Sequence, residues 1–246
     1  MNASPVRFLS PPGEQPLPSL ELAGLLYLPD RPGGRPAPGL VVGHGAGSNA
    51  ARHTAFCLAA CGHGFVVLAL DFRGHGDSEG RGDGPLELDL ASAALFLRRR
   101  PEVDPRHIFY RGSSMGGFYG LKAAPEAGFA ALALVCPADE TTMLRSIDRG
   151  DDAPGAGPLT RWDGPGLRAY FERQDSRALA ARVSCPVLLV HARGDEVVPF
   201  AHSLLLARHL QVDTTLIALE GGTHTTAQHD PSIHDVTVAW LLKKRR

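Results

Sequence analysis

The chain has 246 residues, 43% of them hydrophobic and 21% charged, the proportions of a folded soluble protein and not of a disordered one. Its 25 basic and 26 acidic residues leave a formal charge of −1, so no basic field is present to hold nucleic acid or an anionic membrane. The longest apolar run, residues 129–136, is far short of the ~20 residues of a membrane span.

Residues 1–18 carry prolines and charges where a signal peptide has an apolar core, so a cytoplasmic location is expected. Cys57, Cys61, Cys136 and Cys185 each border apolar segments and read as buried, reduced thiols. Cys57 and Cys61 fall one helical turn apart, yet no second close pair completes a zinc site.

Apolar runs predict strands over residues 22–28, 39–42, 65–70, 107–110, 131–135, 186–190 and 214–219. The middle runs are almost continuously apolar, as for parallel strands covered on both faces. Helices are predicted between them. One follows Gly84-Pro85, with Leu86, Leu90, Ala93, Ala94 and Leu97 on one face. Another follows Pro199, and a last one follows the Asp230-Pro231 cap through Ile233, Val236, Trp240 and Leu241. This alternation predicts an α/β fold, a mostly parallel central sheet with helices on both faces. Residues 137–184 contain no strand, and 168–183 look helical; we read about 137–184 as a small lid-like insertion over one edge of a single domain spanning 1–246.

The strongest chemical signal is Gly112-Ser113-Ser114-Met115-Gly116-Gly117, placed between a strand and a helix. A serine at a sharp strand-to-helix turn needs small residues two before and two after it, which makes Ser114 the nucleophile of a G-x-S-x-G elbow. A serine alcohol needs a base. His224, in a Gly-rich loop after the last strand, is placed to be that base, with His229 and His234 as rivals near the final helix. An acid must orient the base. Asp195, just after the strand at 186–190, fits, with adjacent Glu196 and earlier Asp139 as alternatives. The developing oxyanion needs two backbone N–H groups. Met115 offers one, and the loop His44-Gly45-Ala46-Gly47 the other, from Ala46 in preference to Gly45. His44 reads as a brace for that loop.

These motifs resemble the α/β-hydrolase superfamily: the HGAG loop at 44–47, Asp71-Phe72-Arg73-Gly74-His75-Gly76-Asp77-Ser78, the GSSMGG elbow, Gly194-Asp195 and Gly222-Thr223-His224, in that order from about residue 20 onward. The resemblance implies an α/β-hydrolase fold in which Asp71, Arg73 and His75 shape the structure. Its small-lidded dienelactone-hydrolase and acyl-hydrolase branches are nearest in wording; the former uses a cysteine where this chain has Ser114, which favours a serine esterase. The expected reaction is carboxylic-ester hydrolysis on a small acyl substrate, with no metal and no organic cofactor. Thioesterase, peptidase and acyltransferase chemistry by the same triad, and a non-catalytic binding protein of this fold, stand as alternatives. Monomer and homodimer are both open. A dinucleotide site is disfavoured because Ser48 stands where close helix–strand packing wants Gly or Ala.

Overall fold

A computed structural model describes residues 3–10, 19–30, 36–149 and 164–245. Eight strands form one sheet: β1 Ala3–Leu9, β2 Glu21–Tyr27, β3 Ala37–Gly43, β4 Val66–Leu70, β5 Val103–Ser113, β6 Leu132–Val135, β7 Val187–Ala192 and β8 Thr214–Leu219. Their order is β1-β2-β4-β3-β5-β6-β7-β8. β2 runs antiparallel to both of its neighbours, and every pairing from β4 to β8 is parallel. The helices are α1 Thr54–Gly62, α2 Glu87–Arg98, α3 Met115–Ala127, α4 Glu140–Asp148, α5 Gly164–Phe171, α6 Ser176–Ala181, α7 Phe200–His209, α8 His224–His229 and α9 Pro231–Lys243.

The two-residue period of the strands divides the interior into two cores. Leu132, Leu134, Val187 and Leu189 join the core built with α2, α3 and α7. Ala133, Val135, Leu188 and Val190 join the one built with α1 and α9. Burial on both faces explains why these strands are apolar at every position. The last helix starts as its sequence predicts: Asp230 accepts from the Ser232 amide, and Pro231 opens the first turn.

Three features differ from the sequence prediction. β1 was not anticipated; only Phe8 of its seven residues is buried, so the apolar signal is weak. The stretch 168–183 is two helices, because Asp175 leaves α5 behind and caps α6 through the Arg177 amide. α5 lies on the helical layer and not over a sheet edge: Phe171 packs on Phe118 with centroids 5.4 Å apart, and Lys122 donates to the Tyr170 hydroxyl at 2.6 Å. Residues 150–163 of the expected insertion, 1–2 and 11–18 of the N-terminal segment, and 246 lie outside the described residues. No helix among the described residues is long and apolar enough to cross a membrane.

The family-like segment after β4 is anchored by a buried ion pair. Arg73 donates to Asp89 of α2 through Nε at 2.8 Å and Nη2 at 2.5 Å, and its amide donates to the same carboxylate at 2.9 Å. Asp89→Ala strands the guanidinium in the interior and should destabilise the fold by about 3–5 kcal/mol in urea unfolding. Glu21→Ala, which breaks the exposed Arg7–Glu21 pair, should cost less than about 1 kcal/mol.

Candidate active site

β5 ends at Ser113, and α3 begins at Met115; Ser114 between them has φ 51° and ψ −118°. A side-chain-bearing residue in that region is strained. The turn is held from both sides. Ser114 N donates to Val135 O at 3.0 Å, while Ser114 O accepts from Gly117 N at 2.8 Å and Ala138 N at 3.0 Å. Crowding explains the flanking glycines: a Cβ on Gly112 would lie 2.6 Å from Gly116 O, and one on Gly116 would lie 2.6 Å from Gly43 O. Tyr110 donates its hydroxyl to Gly116 O at 2.6 Å and closes the turn. Ser114 is half-buried at the N-terminus of α3, where the helix dipole favours negative charge. Met115 is the first residue of that helix, and its N–H has no partner within the helix.

The loop after β3 approaches the same serine. A Cβ built on Gly45 would fall 3.3 Å from Ser114 Cβ and 3.9 Å from its Oγ. Ala46 and Gly47 follow in a turn closed by Ser48 N donating to Gly45 O at 3.2 Å. His44 is fully buried and braces this loop: Nδ1 donates to Gly45 O at 2.7 Å, and Nε2 accepts from Phe72 N at 3.1 Å. Burial, then neighbouring His75, pushes its imidazole down to about 3, so it is neutral and committed to structure. Asp71 anchors the next turn, accepting from the amides of Ala50 at 2.7 Å and Asp77 at 3.0 Å.

Asp195 and His224 meet across the ends of β7 and β8. His224 Nδ1 donates to Asp195 Oδ2 at 2.7 Å. Thr223 caps α8, a short helix that the sequence reading took for loop, and so fixes where His224 starts. Glu196 accepts from the His224 amide at 3.2 Å, a bond to the backbone and not to the imidazole. Asp195 Oδ1 accepts from the amides of Val197 at 2.9 Å and Val198 at 2.8 Å. Burial pushes the Asp195 carboxyl up, but hydrogen bonds from His191, His224 and the Val198 amide outweigh it and hold the group well below the usual carboxylate range.

The rivals sit elsewhere. Asp139 caps α4 by accepting from Thr142 N at 2.6 Å and lies 3.6 Å from His202. His229 stacks on His53 at 5.7 Å, and His234 faces Phe56 and the Gln228 carbonyl. Among the described residues no hydrogen bond joins the Ser114 hydroxyl to His224; such bonds are commonly long until substrate binds. The C-terminal ends of parallel strands share one edge of a sheet, and only β6 separates β5 from β7. At about 4.8 Å per strand, the axes of β5 and β7 are about 10 Å apart, and Ser114 and Asp195 both follow the C-terminal ends of these strands. Cys136, His191 and Asp195 bring potential metal-ligating atoms within 4.8 Å of one another. That set does not suit a cation, because burial pushes the Cys136 thiol far up and the His191 Nε2 proton faces the other groups. His191 was missed in the sequence, although its place four residues before Asp195 at a strand end was a visible signal.

A carboxyl held low when folded stabilises the protein fully above its unfolded value of about 3.9, and that contribution fades as pH falls toward the folded value. Asp195→Asn should therefore lower the urea midpoint near neutrality, and the gap from wild type should narrow progressively below about pH 4.

Residues 34–149, which include the Gly45 loop and the Ser114 elbow, match a family model described as serine aminopeptidase, S33. An uncharacterised protein of Mycobacterium tuberculosis is 26% identical over 210 residues, 85% of this chain and 69% of its own length. Est1E from Butyrivibrio proteoclasticus, solved with ferulic acid bound, superposes with a TM-score of 0.76 at 21% identity, covering 92% of this chain and 96% of that one. An esterase of Pyrococcus furiosus gives 0.76 at 19% identity, covering 99% and 91%. The strand order, the elbow and these likenesses agree, and the chain has the α/β-hydrolase fold.

Proposed function

We propose that the protein is a serine esterase that hydrolyses carboxylic esters through an acyl-enzyme on Ser114. The observation that carries this reading is the 2.7 Å Asp195–His224 bond at the sheet edge where the strained Ser114 turn also opens. A buried carboxylate bonded to Nδ1 leaves Nε2 as the face of the imidazole that can take a proton.

Ser114 Oγ attacks the ester carbonyl carbon while His224 Nε2 takes the hydroxyl proton. The negative oxygen of the tetrahedral adduct is met by the amides of Met115 and Ala46, assisted by the dipole of α3. His224 returns the proton to the departing alcohol as the carbon–oxygen bond breaks. Water then attacks the acyl-Ser114 bond, giving its proton to His224, and collapse of the second adduct releases the acid and restores the serine. Asp195 stays ionised throughout, stabilising the imidazolium. The scheme draws every proton and bond from the chain, the substrate and water.

The likeness to an esterase and to a ferulate-binding neighbour supports an ester substrate. A second reading, amide cleavage at a peptide N-terminus, is favoured by the family model's description, and the same residues would carry it. A chromogenic ester series from short to long acyl chains, run beside aminoacyl anilides, separates the two. Ser114→Ala should reduce ester turnover by about 10⁶-fold, to background, with the fold intact, and should abolish labelling by a fluorophosphonate. Asp195→Asn should lower kcat by about 10⁴-fold. Ester turnover that survives Ser114→Ala would refute the assignment; labelling with anilide but no ester turnover would establish the peptidase reading.

A further inference from the structure

We infer that His191 is a positioning residue of this site: together with Ser203 it fixes the Asp195 carboxylate so that one oxygen stays aimed at His224. The inference rests on the Ser114–His224–Asp195 reading and adds a second histidine to it, one that touches neither substrate nor the reacting atoms.

A carboxylate has about four lone-pair directions, and those of Asp195 are all occupied. Oδ1 accepts from the amides of Val197 and Val198; Oδ2 accepts from His224 Nδ1 at 2.7 Å and lies 3.2 Å from His191 Nε2, and the Cys136 thiol also bonds the carboxylate. The two amides anchor only the first oxygen, and the terminal torsion of an aspartate is soft. A fixed donor beside Oδ2 stops that oxygen from following His224 as the imidazole moves. Water cannot supply the donor, because the side chains of His191 and Asp195 are both wholly inaccessible.

The His191 ring is itself locked. Nε2 faces two acceptors, Val198 O at 3.0 Å and Asp195 Oδ2, and so carries hydrogen. Nδ1 then accepts the hydroxyl proton of Ser203 in α7 at 2.7 Å, and the ring packs edge-on against Phe200 at 5.7 Å. A histidine that only filled the core would be satisfied by Val198 O and Ser203 alone. Here the same N–H is shared with the buried carboxylate.

Removing that donor has two consequences. The carboxylate gains freedom, so His224 is oriented less well and kcat falls. The negative charge no longer shared with His191 concentrates on the bond to His224, which favours the imidazolium and moves the acid limb of the kcat/KM profile to higher pH. The titratable groups facing this pair are few. His224 comes from α8, Cys136 from the end of β6, and His202 from α7, with Asp139 and Glu140 beyond His202 and Glu196 on the His224 amide.

His191→Leu, which keeps bulk without a donor, should lower kcat by about tenfold at nearly unchanged KM, the rate equivalent of one hydrogen bond to a charged group. Its acid limb should move to higher pH, and the far-downfield proton resonance of His224 Nδ1–H should shift or broaden. His191→Gln, which returns an N–H near the Nε2 position, should restore most of both, and Ser203→Ala should show the same changes in smaller measure. If the leucine variant fails to fold in urea titration, Ser203→Ala and His191→Gln carry the test. An unmoved acid limb and resonance in either donor-weakening variant, or a glutamine variant no better than leucine, would overturn the proposal. Fluorophosphonate labelling of wild type, lost in Ser114→Ala, tests the esterase reading separately. Without labelling that reading fails, while the resonance, recorded without substrate, still decides the role of His191.

Discussion

The backbone at Ser114 is the constraint on which the rest of the site depends. A non-glycine residue at φ 51° costs on the order of 1–3 kcal/mol, and it persists only where its surroundings over-determine it. Those surroundings come from four places: Val135 at the end of β6, Ala138 just beyond it, the first turn of α3, and the β3 end that presses on Gly116. Two of them also set other parts of the site. The β3 end carries the His44 loop, and Cys136 beyond β6 lies against the Asp195 turn. Strain at one residue is thus shared by the elements that bring the other groups within reach.

A second buried feature ties His224 to the same frame. Arg111, three residues before Ser114, is almost fully buried, and among the described residues no carboxylate bonds it. Its guanidinium instead donates to Gln228 O near the end of α8 at 2.8 Å and to His53 Nδ1 at 2.9 Å, and lies over Phe56 at 4.7 Å. Burial, then the nearby Arg111 charge, holds His53 well below its ordinary value, which keeps its Nδ1 an acceptor. Gln228 in turn donates to His224 O at 3.0 Å. The strand that delivers the serine therefore also grips the short helix that begins with the histidine.

The sequence made most of this legible, for reasons that differ by element. Strands buried on both faces announce themselves as unbroken apolar runs, and the elbow announces itself because only small residues fit at 112 and 116. The positions of Ser114, Asp195 and His224 after successive strands were readable from the strand order, while their roles rest on the reading proposed above. β1 escaped because it is antiparallel and mostly exposed, and α8 because its six residues, His224 to His229, carry no apolar stripe. For His191 and Arg111 the partners were not legible, although the place of His191 before Asp195 was a signal. Each is a polar residue inside a strand pattern, and only the tertiary partners, Asp195 and Ser203 for one and Gln228 and His53 for the other, reveal what they hold.

The placement of α5 extends the same logic toward specificity. Phe171 is fully buried against Phe118, Tyr170 stacks on Tyr119 at 6.2 Å, and Lys122 bonds Tyr170 while pairing with Glu87 of α2 at 3.1 Å. Three of these partners, Phe118, Tyr119 and Lys122, lie on α3, the helix that begins one residue after Ser114. A helix docked through aromatic rings on α3 shares that helix's rigid frame. The Asp195 carboxylate, bonded by the Val197 and Val198 amides and by His224, is equally fixed. On the esterase reading proposed above, selection among acyl groups then falls to the side chains between α5 and the Asp195 turn, and it can be altered there without disturbing the serine turn.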